Sequence, residues 1–330
     1  MQDRPIVVAG AGSIGCYVGG LHAHAGRRVA LLARPRVIAE IERFGLTLTS
    51  LEGSSWHVAS QQIKLSDDPK VLTDAGMVVV TVKSADTADV ADAIARYAPS
   101  DAVVVSLQNG IGNVPVLRER LPGRTVLAAM VPFNVVASGD GRFHRATSGD
   151  IVIEDGAAGA AARLSIPELP MRATANIAGV QWGKLIVNLN NAINALSGLP
   201  LREQLGRRDW RRLFADQIAE GLMAVRAEGI APVSPTLAPL SVTPHLLRLP
   251  DALFRIALAP AMTACCLLTA CHGRRVRHAA QRHLHRNSAE LHSAVELGLA
   301  DALDLGDLRA EGRGVRARLA RVVLVHHGLP

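Results

Sequence analysis

The segment Pro5 to Ala9 is a short, nearly all-apolar run that leads into Gly10-Ala11-Gly12-Ser13-Ile14-Gly15 and then into a helix-like stretch, Ile14 to Ala25. A strand, a GxGxxG turn and a helix in that order restrict the fold more than any other feature of the chain. Gly10 permits the tight turn, Gly12 lets the backbone approach a pyrophosphate, and Gly15 lets helix and strand pack closely. The helix N-terminus, at Ser13 and Ile14, favours the phosphate charge. The pattern therefore predicts a dinucleotide site in a Rossmann-type domain; the competing reading is a structural glycine turn with no ligand.

The same alternation continues along the chain. Arg28 to Ala33, Met77 to Val82 and Ala102 to Leu107 read as further strands buried on both faces, with a helix candidate at Ala85 to Tyr97. This is the pattern of an α/β doubly wound, mainly parallel sheet, whose ligands collect at the carboxyl ends of the strands. Near Gly156 to Ala162 glycine and alanine dominate, and beyond them the strand signal fades in favour of helices, Trp182 to Leu196 being the clearest. The expectation is a dinucleotide-binding domain over 1–162 and a mainly α-helical substrate and catalytic domain over 163–330, with the active site in the cleft between them. A chain of 330 residues with 49% hydrophobic content can bury two such cores.

Other classes are disfavoured. The formal charge of +7 comes with only 3% aromatic residues and no basic stripe with interleaved stacking residues, so no nucleic-acid partner is expected. Met1 to Pro5 lacks the features of a secretory leader, and the apolar run Ile256 to Cys271 is too short and contains a proline, so neither export nor a membrane span is expected. The reading is cytoplasmic. Cys16, Cys265, Cys266 and Cys271 form no CxxC pair and read as buried thiols.

The second strand should end in an acidic residue if the cofactor were NAD, because a carboxylate there bonds the ribose hydroxyls. Arg34 stands there instead, followed by Arg36. A guanidinium can pair bidentately with a 2′-phosphate, which favours NADP(H); a solvated loop arginine is the alternative.

Three further stretches complete a family pattern: Val82-Lys83-Ser84, Leu107-Gln108-Asn109-Gly110-Ile111-Gly112-Asn113, and Trp182-Gly183-Lys184-Leu185 with Asn188 four residues after the lysine. With the glycine turn they cover about the first 205 residues in order, and the chain resembles the ketopantoate reductases, which are 2-dehydropantoate 2-reductases of pantothenate synthesis. The resemblance implies cofactor contacts at Lys83 and Asn109 and a proton donor at Lys184. An ammonium near a 2-keto oxygen stabilises developing alkoxide charge and delivers the proton. Asn188 and Asn191 lie one and two turns beyond Lys184, so all three are expected on one helix face, suited with Asn109 to a small 2-keto acid substrate. A purely structural polar network is the alternative for those amides. Where the family places its second and third asparagines, this chain has Ala192 and Leu201.

The resemblance fails in Thr263 to Asn287, where the family has paired serines, an arginine and Thr-Glu-Ile-Asp, and this chain has His272, Arg274, Arg275, Arg277, His278, His283 and His285 in no amphipathic order. Metal binding by those histidines lacks a completing carboxylate or cysteine at sensible spacing, so no metal is expected. One reading of the loss is a change of reading frame: the codons permitted for His285 to Ser288 include a set that, read one base later, spells Thr-Glu-Ile. The functional readings are an NADPH-dependent 2-dehydropantoate reductase, a catalytically impaired NADPH-binding homologue, and a reductase of another small 2-keto acid. A homodimer is left open.

Overall fold

Short apolar runs separated by helix-length segments set the order β1 (Ile6–Ala9), α1 (Ser13–His24), β2 (Val29–Leu32), α2 (Pro35–Phe44), β3 (Leu46–Thr49), β4 (Ser55–Val58), β5 (Lys64–Ser66), β6 (Met77–Val80), α3 (Thr87–Tyr97), β7 (Val103–Ser106), α4 (Asn113–Arg120), β8 (Val126–Met130), β9 (Val135–Gly139), β10 (Arg142–Arg145), β11 (Ile151–Glu154), α5 (Ala160–Leu164), β12 (Met171–Thr174), α6 (Ile177–Asn188), α7 (Asn190–Ser197), α8 (Leu201–Gly206), α9 (Arg208–Ala227) and α10 (Thr243–Leu247). The computed structural model describes residues 4–156, 159–235 and 238–256. The chain divides into two compact units after Gln181, inside α6.

In the first unit eight strands form one sheet in the order β12-β11-β8-β7-β6-β1-β2-β5. All neighbours run parallel except β11 against β8. Side-chain alternation splits each central strand between two cores: Ile6 and Val8 of β1, with Met77 and Val79 of β6, face one side, while Val7, Ala9, Val78 and Val80 face the other. Helix α1 supplies Cys16, Tyr17 and Leu21 to the first side, and α3 and α4 supply Val90, Ile94, Val114 and Leu117 to the second. This is the doubly wound sheet the sequence predicts, with strand bounds one or two residues shorter.

Two features differ from expectation. A second sheet, β4-β3-β10-β9, covers the far side of α1, so the helix is buried between two sheets. Adjacent glycines make this possible: a Cβ on Gly19 would meet Leu31 and Val8 of the large sheet, and one on Gly20 would meet Leu46 and Leu48 of the small one. The strand signal also does not end at the glycine-alanine stretch, because β12 lies beyond it and pairs in parallel with β11 from Ile151↔Met171 to Glu154↔Thr174. The compact unit therefore closes after Gln181, whereas composition places the break at 162, since pairing rather than composition decides which segments belong to the sheet.

In the described residues of the second unit, helices pack Ile186 and Ile193 against Phe214, Ala215, Ile218 and Leu222 of α9. Arg211 is fully buried: it donates to the carbonyls of Leu205, Leu247 and Leu249 and to Asp251 Oδ1, and its guanidinium lies 4.1 Å from the centre of the Phe254 ring. Its partners are too dispersed in sequence for local pattern to foresee. Among the described residues no helix is long and apolar enough to cross a membrane. The atypical segment 263–287, its histidines, Cys265, Cys266, Cys271 and the frame-change reading lie outside the described residues.

Candidate functional site

The carboxyl ends of β2, β1, β6 and β7 lie side by side and carry the first group of candidate residues. The glycine turn follows β1. Gly10 has φ +103°, and a Cβ there would come within 2.6 Å of Val82 Cγ1 and 2.7 Å of Val82 N. A Cβ on Gly15 would collide with the carbonyl oxygen of Gly10 and come within 2.7 Å of Thr81 Oγ1, whereas one on Gly12 would meet nothing within 4 Å. The turn is thus closed toward the protein at Gly10 and Gly15 and open at Gly12, the shape a pyrophosphate needs if it is to reach the backbone. Beyond it the first-turn amides of α1, Ser13 and Ile14 among them, have no intrahelical acceptors and present donors to an anion. Thr81 fixes the cradle by donating its hydroxyl to Gly10 O at 2.5 Å.

Arg34 follows β2 and caps the start of α2, with its side chain 80% exposed and its guanidinium 3.6 Å from the Asp86 carboxylate. Lys83 follows β6 and opens the short turn Ser84–Asp86, and its side chain is exposed. Asn109 follows β7, also exposed. The structure thus gathers Gly10, Gly12, Ser13, Ile14, Gly15, Arg34, Lys83 and Asn109 on one edge of one sheet, although they are spread over about 100 residues of sequence.

The loops bearing Lys83 and Asn109 are tied together beneath that edge by a polar chain to which the sequence reading gave no role. Ser106 Oγ donates to Gln108 Oε1 at 3.0 Å, and Gln108 Nε2 donates to Val82 O at 3.1 Å and to Thr87 Oγ1 at 2.8 Å. Thr87 Oγ1 donates to Asn113 Oδ1 at 3.1 Å, and Asn113 Nδ2 donates to Asn109 O at 2.7 Å. All four side chains are buried. A satisfied buried network fixes loop geometry because breaking any link leaves a desolvated group unpaired. The available signal was a run of polar residues immediately after an apolar strand.

The second group lies on α6 and α7. Lys184 is half-buried, and loss of hydration pulls its ammonium down from the usual 10.5 to about 8. Gly183 beside it is in backbone contact with the 231–234 segment: a Cβ there would collide with the Val233 carbonyl oxygen. Val233 also lines a concavity of about 350 Å³ with Leu222, Arg226, Ser234 and Leu240. Asn188 is half-buried and ends α6, but Asn191 is exposed and belongs to α7. The two helices meet at Leu189, which keeps right-handed helical φ −54° and ψ −28° and whose amide is shared between Leu185 O at 3.1 Å and Ile186 O at 3.3 Å. Asparagine amides compete with the backbone ladder, which weakens a helix that contains several of them. Two neighbouring asparagines serve the fold: Gln204 Nε2 donates to Asn190 Oδ1, and Asn194 Nδ2 donates to Gln204 Oε1 and Leu199 O.

The chain is similar to known proteins in sequence and in fold. Residues 6–158 match the family described as Ketopantoate reductase PanE/ApbA. The 2-dehydropantoate 2-reductase of Halobacterium salinarum is 31% identical over 235 residues, covering 68% of this chain and 76% of that one. The crystal structure of a PanE/ApbA family ketopantoate reductase from Ralstonia eutropha superposes with a TM-score of 0.67 at 27% identity, covering 97% of each chain. A D-mandelate dehydrogenase solved with NADH and anilino(oxo)acetate shares the fold, with a TM-score of 0.60 at 19% identity over 76% of this chain and 80% of that one.

Proposed function

Because this chain belongs to the ketopantoate reductase family of oxidoreductases, we propose that it reduces 2-dehydropantoate to pantoate with NADPH, a step toward pantothenate and coenzyme A. The observation that carries the reading is Lys184, a half-buried ammonium in the Trp182-Gly183-Lys184-Leu185 motif, pulled down to about 8 by desolvation. At neutral pH such a group is still largely protonated, yet it gives up its proton more readily than a solvated lysine.

The glycine turn and the first amides of α1 would hold the pyrophosphate, Arg34 a 2′-phosphate, and Lys83 and Asn109 the nicotinamide end. When bound, the nicotinamide supplies the hydride. Lys184 supports the keto oxygen as negative charge develops there and delivers the proton from Nζ. Asn109 orients the substrate beside the nicotinamide, and Asn188 and Asn191 offer neutral amide donors and acceptors to its hydroxyl.

A reductase of another small 2-keto acid is the second reading. It is favoured by Ala192 and Leu201 at positions where the family resemblance expects asparagine, and by the commitment of Asn190 and Asn194 to Gln204. The deciding experiment follows NADPH oxidation with 2-dehydropantoate and with a panel of small 2-keto acids, for the parent and for Lys184→Ala. Turnover of 2-dehydropantoate that falls about 10²-fold or more in the variant, with NADPH binding retained, supports the first reading. Turnover only with other acids supports the second, and binding without any turnover identifies a catalytically impaired homologue.

A further inference from the structure

The end of β2 lacks the acidic residue that would bond a ribose, but the fold brings one there from elsewhere. Asp86 lies in the turn after β6, and β6 and β2 are the two neighbours of β1. The Arg34–Asp86 pair, at 3.6 Å, therefore joins the loops on either side of the glycine turn. A second observation marks this carboxylate as unusual. Asp86 is the N-cap residue of α3, a position where aspartate ordinarily accepts a bond from the helix amides, yet its side chain makes no capping hydrogen bond. The carboxylate is instead directed to Arg34.

We propose that Asp86 sets the cofactor preference of this edge: it holds the Arg34 guanidinium and competes with a 2′-phosphate for it, so that its removal strengthens NADPH binding relative to NADH. The inference rests on the reading that Arg34 receives the 2′-phosphate. An incoming phosphate must take the guanidinium from Asp86, whereas NADH brings no group that competes for Arg34. With the two side chains 80% and 45% exposed, the pair is screened and its influence is moderate. A pair worth up to about 1 kcal/mol corresponds to a roughly fivefold change in affinity.

The test is equilibrium titration of NADPH and of NADH into the full-length parent, Asp86→Asn, Arg34→Gln and the double variant. Both side chains are exposed, and asparagine keeps the shape of the aspartate. Asp86→Asn is expected to lower the NADPH Kd about three- to fivefold relative to that of NADH. Arg34→Gln is expected to raise the NADPH Kd about tenfold or more, and the double variant should match Arg34→Gln, because Asp86 acts through the arginine. An NADPH:NADH ratio that stays within about twofold of the parent in Asp86→Asn, while Arg34→Gln shifts it, overturns the proposal and leaves the cofactor reading standing. A ratio unmoved by Arg34→Gln overturns both.

Discussion

Lys184 combines two consequences of one burial. Its pKa falls from 10.5 to about 8, so kcat/KM should decline as pH rises through about 8, when the proposed proton donor loses its proton. For stability, a pKa depressed in the folded state gives a contribution that is present above 10.5 and lost as pH falls through about 8. At pH 7 the buried charge is a cost, and Lys184→Met should melt no lower than the parent while losing turnover. His22 follows the same sign at lower pH. It is fully buried in α1 with both ring nitrogens unpartnered, and burial, reinforced by Arg27, pulls it from 6.5 to about 4. Stability should fall between about pH 6.5 and 4, by on the order of 3 kcal/mol, and melting curves of His22→Leu should lose most of that dependence. The glycines separate folding from binding. Gly12→Ala should alter stability by less than about 0.5 kcal/mol and weaken NADPH binding at least about tenfold. Gly15→Ala should cost about 1–3 kcal/mol as well, because its Cβ meets backbone; paired denaturation and titration curves check both.

At the scale of elements, the proposed nucleotide edge depends on loops braced from below. Thr87, at the start of α3, stands between Gln108 and Asn113, so it links the loop after β6 to the loop after β7. Thr87→Val keeps the volume but leaves an amide proton and an amide oxygen in a buried site without their partner. The expected cost is about 1–3 kcal/mol in unfolding free energy, together with weaker NADPH binding as Asn109 loses its fixed position. Equal stability and equal affinity in the variant would show that the loops hold their shape without the network. Little of this was legible beforehand. Gln108 and Asn113 stand within a recognisable motif, but which partners they take is decided where β6 and β7 come together. Helices α6 and α7 make the same point: the spacing of Lys184, Asn188 and Asn191 suggested one face of one helix, and the structure leaves Asn188 half-buried and Asn191 exposed.

At the scale of the whole molecule, the proposed nucleotide edge belongs to the first compact unit and Lys184 to the second. A fragment ending at Gln181, the end of the first compact unit, is expected to retain NADPH binding and, without Lys184, to have no turnover; isothermal titration and an oxidation assay on that fragment check both. By itself the sequence determined the α/β class, the central strands and the glycine cradle. Strand-turn-helix order, buried β-branched runs and GxGxxG spacing are local properties, set by backbone sterics and by which side chains leave water. It also offered Lys83, Asn109 and Lys184 as candidates, through motifs that resemble those of a family. Only the tertiary structure decided that β12 joins the sheet past the glycine-alanine stretch, that a second sheet encloses α1, and that Asp86 faces Arg34. Each of these depends on contacts between residues far apart in the chain, and pairing across such distances is fixed by which surfaces meet when the cores close.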